Sequence, residues 1–112
     1  MKIAISSMGK TLNDSVSDAF ARCLYFIIIE IENDKILQTE IIKNINANQL
    51  GQAGTSVAQL MAEKNINVIL TKNIGPRALD ALKQFEIKIY SGEGIIKNVL
   101  QKFIENKLEK IN

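Results

Sequence analysis

The apolar run at residues 24–31, Leu-Tyr-Phe-Ile-Ile-Ile-Glu-Ile, constrains the fold more than any other stretch of this chain. β-branched and aromatic side chains favour an extended backbone, and a strand that is apolar at successive positions has no face to give to water. The chain must therefore build a sheet covered on both sides, with this strand near its middle. Glu32, Asn33, Asp34 and Lys35 supply turn chemistry directly after it. Residues 36–42 return as a more polar strand, broken by Gln38, Thr39 and Glu40, as suits a sheet edge. The two form a hairpin.

The remaining elements follow from periodicity. Residues 2–6 read as a short buried strand ended by Ser7-Met8-Gly9, and a helical turn is expected at 16–21 within the polar segment that follows. After a loop at 44–54 rich in Asn, Gln and Gly, Val57, Leu60 and Met61 predict an amphipathic helix over 55–64. Residues 67–71 hold a short buried strand. Gly75-Pro76 opens the next helix, with proline at a position where its missing N–H costs nothing. Residues 87–90 form a strand broken by Ser91-Gly92-Glu93-Gly94. Ile95/Ile96, Val99/Leu100, Phe103/Ile104 and Leu108 predict a last helix, with the mixed-sign residues 101–110 as its solvated face.

Strand-helix-strand units demand parallel neighbours joined by right-handed crossovers. The expected architecture is one α/β domain over residues 1–112, with a mixed five-stranded sheet in the order 3-2-1-4-5. Its second strand runs antiparallel, and helices cover both faces. At this length a layered core needs no staples.

Composition narrows the chemistry. Lys and Arg exceed Asp and Glu by two, spread without a basic cluster, so nucleic acid is not an expected partner. No apolar run approaches a membrane span, the N-terminal residues lack a signal h-region, and a cytoplasmic protein is expected. There is no histidine and one cysteine. A hydrolytic triad in its usual form is thereby excluded. The central strands end in Ser6-Ser7 and Thr71-Lys72, without the carboxylates a two-metal nuclease requires. The chain is expected not to be an enzyme.

Topology locates a site without any motif. Five segments should converge at one rim of the sheet, beside the point where strand order reverses, which is the usual ligand crevice of an open α/β sheet. They contribute Ser7 and Met8, then Arg22 and Cys23, then Gly51 and Gly54, then Asn73 and Gly75, and finally Gly92. The helix N-termini at Thr55, Pro76 and Ile95 should point free N–H groups nearby and make an anion cradle. Two readings stand for Cys23: a small buried hydrophobe, or a soft metal ligand whose thiolate Arg22 favours. Met8 is read as packing or as a second soft sulfur, and the glycines as turns or as parts of the cradle.

Three segments carry a family resemblance. They are Met1-Lys2-Ile3-Ala4-Ile5-Ser6, then Val16-Ser17-Asp18-Ala19-Phe20-Ala21-Arg22-Cys23-Leu24-Tyr25-Phe26, and Asn73-Ile74-Gly75-Pro76-Arg77-Ala78-Leu79-Asp80-Ala81-Leu82. Over about residues 1–105 the chain resembles the small dinitrogenase iron-molybdenum cofactor biosynthesis proteins. The resemblance implies a ribonuclease-H-like sheet in three layers. It also implies non-catalytic holding or passing of an iron-sulfur or iron-molybdenum precursor cluster among cofactor-biosynthesis proteins. Family members often have glycine where this chain has Ala21, and many carry histidines in the loop that here spans 44–54 and has none. A cluster bound here needs ligands of its own, a second subunit or a partner protein. The leading expectation is a cofactor carrier with Cys23 as the metal ligand, balanced by Arg22 and the helix N-termini. The other is a regulatory or interaction module that binds a small anion or a protein. The sequence leaves oligomeric state open.

Overall fold

A computed structural model describes residues 1–112. In chain order it contains β1 (Lys2–Ser7), β2 (Tyr25–Glu32), β3 (Lys35–Lys43), α1 (Ala53–Glu63), β4 (Val68–Thr71), α2 (Pro76–Gln84), β5 (Lys88–Ser91), α3 (Ile96–Ile104) and β6 (Glu109–Lys110). The sheet runs β3-β2-β1-β4-β5-β6. β1, β4 and β5 are parallel, β2 is antiparallel to both β1 and β3, and β6 is antiparallel to β5. No helix is long and apolar enough to cross a membrane.

Strand alternation sorts the core into two layers. Ala4, Phe26, Ile28, Ile69 and Ile89 face α1 and α2 and meet Val57, Ala58, Met61, Ala78 and Leu82. Ile3, Ile5, Ile27, Ile29, Val68 and Leu70 face α3 and meet Ile96, Val99 and Leu100. Phe26 through Ile29 are buried in succession, as the apolar run requires. Each isoleucine buried there contributes about 1.5–3 kcal/mol relative to an exposed one. β3 lies at one edge and is exposed along nearly its whole length, including Ile36, Leu37 and Ile41.

All three helices stop in the same way. Asn65, Glu86 and Asn106 take positive φ just past the helix ends. The next N–H then returns to a carbonyl of the last turn, Ile66 to Met61, Ile87 to Leu82 and Lys107 to Lys102. This is a Schellman closure built without glycine.

Four expectations need correction. The sheet has six strands, not five. Residues 101–110 are not all helix, because α3 ends at Ile104 and β6 returns to pair with β5. Asn112 drives that return, since its side chain accepts from Ile89 N–H at 2.8 Å and donates to Ile87 C=O at 2.9 Å. α1 begins at Ala53, two residues before the predicted Thr55. No helical turn forms at 16–21, where the chain instead makes single bridges from Val16 to Ser7 and from Ala19 to Asn73.

Candidate functional site

The expected convergence at one rim is present, and hydrogen bonds hold it. The hydroxyls of Ser6 and Thr71 meet at 2.8 Å, buried, where β1 and β4 end side by side. Phe20 N–H donates to Asn73 C=O at 3.1 Å and Val16 N–H to Gly94 C=O at 2.8 Å. The buried Asn44 donates to Ala21 C=O and Cys23 C=O, both at 2.9 Å, and so pins the turn before β2 to the end of β3.

On the α1/α2 side of this rim lies a cleft of about 610 Å³. Its walls are residues 19–22, residues 52–54 at the start of α1, and residues 73–78 at the start of α2. Gly54 makes this geometry possible, because a Cβ there would sit 2.9 Å from the Ala78 Cβ. The first turns of α1 and α2 therefore touch, and both N-termini open on the same space. Neither helix has a side-chain cap. The N–H groups of Ala53, Gly54, Thr55, Arg77 and Ala78 have no hydrogen-bond partner in the chain. Two arginines, Arg22 and Arg77, line the cleft with them. Free N–H groups, two helix dipoles and two cations around an otherwise apolar wall make an environment for an anion.

α3 differs. Its first N–H groups are already occupied: Ile96 donates to Asp14 C=O and Lys97 to Leu12 C=O, both at 2.9 Å. The expectation of a free N-terminus near Ile95 is corrected accordingly. Beside it Lys72 bridges Glu93 at 3.2 Å and Asp18 at 3.4 Å, and those carboxylates raise its pKa. Backbone carbonyls thus occupy the start of α3, and an ion-pair cluster stands beside it.

Of the residues singled out from sequence, Arg22, Gly54, Asn73 and Gly75 line the cleft. Ser7 is buried at the end of β1 and donates its hydroxyl to Gly9 C=O at 2.6 Å. Met8 projects from the rim, exposed and outside the cleft. Gly51 occupies the turn before α1. Gly92 packs under α3, where a Cβ would come within 2.4 Å of Val99.

Cys23 belongs to the core beneath the cleft, 2% exposed, among Phe20, Phe26 and the residues of α1 and α2. Burial pushes its thiol from 9.0 up to about 11, against smaller opposing hydrogen bonds from the Ser7 backbone and the Asn44 side chain. Arg22 does not create the accessible thiolate expected of the pair, because its Nη1 is turned to Ala47 C=O and Gln49 C=O. No group of three Cys, Asp or Glu side chains could hold a metal ion. Gln52 and Ile74 lie in loops expected at this rim but were not singled out, and Arg77 fell outside the expected segments. Arg77 had a usable signal: it directly follows Gly75-Pro76, so it falls in the first helical turn beside the free N–H groups.

The dinitrogenase iron-molybdenum cofactor family matches residues 1–106. An uncharacterized protein of Methanocaldococcus jannaschii is 40% identical over 99 residues, 88% of this chain and 84% of that protein. Among solved structures, the apo form of the orange protein of Desulfovibrio gigas superposes with a TM-score of 0.86 at 26% identity, over 97% of this chain and 91% of that one. A candidate NifB protein from Thermotoga gives 0.84 at 33% identity, over 98% and 92%.

Proposed function

Because this chain belongs to the dinitrogenase iron-molybdenum cofactor family, we propose that it binds and carries, without catalysis, an iron-sulfur or iron-molybdenum type cofactor or its precursor. The cleft between the starts of α1 and α2 is the seat. Direct ligation does not fit the residues present: the one thiol is buried and protonated, and no side-chain group can complete a coordination shell. A cluster whose metals already carry sulfide or other terminal ligands fits better, because such a cargo is an anion that needs charge and hydrogen bonds from outside its own shell. The observation that carries this reading is the cleft itself, where Arg22, Arg77 and the unpartnered N–H groups of two helices converge.

Support also comes from the orange protein, a structural neighbour solved in an apo form. A ribonuclease-H-like ancestry is compatible with the sheet, and the hydroxyls at Ser6, Ser7 and Thr71 stand where a nuclease would need carboxylates. Cofactor-biosynthesis proteins of the cytoplasm are the partners this role implies, with no part for nucleic acid or membrane.

Anaerobic incubation with iron, sulfide and molybdate, followed by absorption, EPR and native mass spectrometry, tests the assignment. The expected product is a coloured protein with metal and sulfide in fixed ratio, lost when Arg22 and Arg77 are both replaced by Gln. A colourless, metal-free product overturns it.

The second reading is a regulatory or interaction module. Ile45 and Leu50, 86% and 99% exposed on the loop beside the cleft, favour it by offering apolar contacts to a protein. Under that reading a metal-free protein still binds a small anion in the cleft, or retains a protein partner through those side chains.

A further inference from the structure

We infer that Arg22 couples occupancy of the cleft to the order of the loop at residues 45–51, an inference that rests on the cleft being an anion site. Arg22 stands between the two. Its Nη1 donates to Ala47 C=O at 3.1 Å and to Gln49 C=O. Those two bonds spend the hydrogens of Nη1, and Nε and Nη2 have no partner in the chain. The same side chain lines the cleft. A guanidinium is planar and offers two neighbouring donors along the Nε–Nη2 edge, the geometry that holds a two-point anion.

The loop depends on this one side chain. Its other hydrogen bonds are local: Asn46 N–H to the Asn44 side chain, Ala47 N–H to Asn44 C=O, and Gln49 N–H to Asn46 C=O. Leu50 packs against nothing, at 99% exposure. Across residues 45–51, between the anchor at Asn44 and Gln52, whose carbonyl accepts from Ser56 N–H in α1, only Arg22 ties the loop to the rest of the molecule by hydrogen bonds. A free guanidinium rotates and takes the loop with it. An anion held by the Nε–Nη2 edge fixes the plane of the group, and Nη1 then fixes the loop. By linkage, an ordered loop raises affinity for the anion by the same factor.

Molybdate serves as the probe, with affinity read by calorimetry and loop order by hydrogen–deuterium exchange. In the unaltered protein, saturating molybdate should slow exchange of loop amides by about fivefold or more. Arg22→Lys keeps the charge but cannot span loop and anion together. It should leave the melting temperature unchanged, weaken molybdate binding, speed loop exchange in the free protein, and abolish the response of that exchange to molybdate. Arg77→Gln should weaken binding yet preserve full loop protection once saturated. Molybdate binding with no change in loop exchange overturns the coupling and leaves the cleft assignment standing, as does full protection in Arg22→Lys. Calorimetry that finds no molybdate binding in the unaltered protein removes the anion site and the coupling with it.

Discussion

The two faces of one sheet meet the same rim and finish differently. On the face covered by α3, the loop at 12–14 gives its carbonyls to the helix N-terminus, Gly92 packs under Val99, and Lys72 closes the margin with Asp18 and Glu93. On the face covered by α1 and α2, the N–H groups stay free, two arginines line the gap, and a cleft remains. The strands beneath are shared, so strand chemistry cannot account for the contrast. What differs is whether a loop returns its backbone carbonyls to the helix starts. Where it does, the polar groups satisfy one another; where it does not, they are left for a ligand.

This contrast can be broken at four points, given from the largest effect to the smallest. Gly92→Ala drives a methyl against Val99 in the closed layer and should cost about 3 kcal/mol by overpacking, measured by urea unfolding. Anion binding in the cleft should survive wherever the variant remains folded. Alkaline pH probes the open face from below. The folded Cys23 thiol titrates near 11 and the unfolded one near 9.0, so the native state keeps its proton longer. Stability is therefore undiminished by this group below pH 9 and falls as pH rises through 11, by up to about 2.7 kcal/mol. Cys23→Ala should flatten that part of the stability–pH curve.

Arg77→Gln should lower molybdate affinity about tenfold, equal to about 1.4 kcal/mol, while the melting temperature holds, because Arg77 has no partner in the chain to lose. An unchanged affinity would move the anion away from α2. Lys72→Gln should do least. Its ion pairs are solvent-exposed and salt-screened, so neither melting temperature nor anion affinity should change measurably. A clear loss of affinity would show that the closed face takes part after all.

The fold was largely legible because it follows from side-chain periodicity. The unbroken apolar run put β2 inside the sheet, one strand in from the β3 edge, while spacing at Val57, Val99 and Leu100 placed α1 and α3 and Gly75-Pro76 marked the start of α2. β6 was not legible: Glu109-Lys110 carries no strand pattern, and its pairing depends on Asn112 reaching back to the backbone of β5. At the site, Arg22, Gly54, Asn73 and Gly75 were found because strand direction alone brings their loops together. The protonation of Cys23 was hidden because it is set by α1 and α2 packing above it, a tertiary property. That α3 would be plugged while α1 and α2 stayed open was hidden too, since it turns on where the carbonyls of Leu12 and Asp14 point.

The unequal borders of the sheet limit how copies of this chain can join. β6 is only two residues long and leaves almost nothing for a neighbouring chain to pair with, whereas β3 offers nine residues between Lys35 and Lys43. A second molecule adding at β3 would consume its own matching border in the act. Growth by strand addition therefore terminates at a pair, and open-ended fibre formation has no second long template from which to proceed.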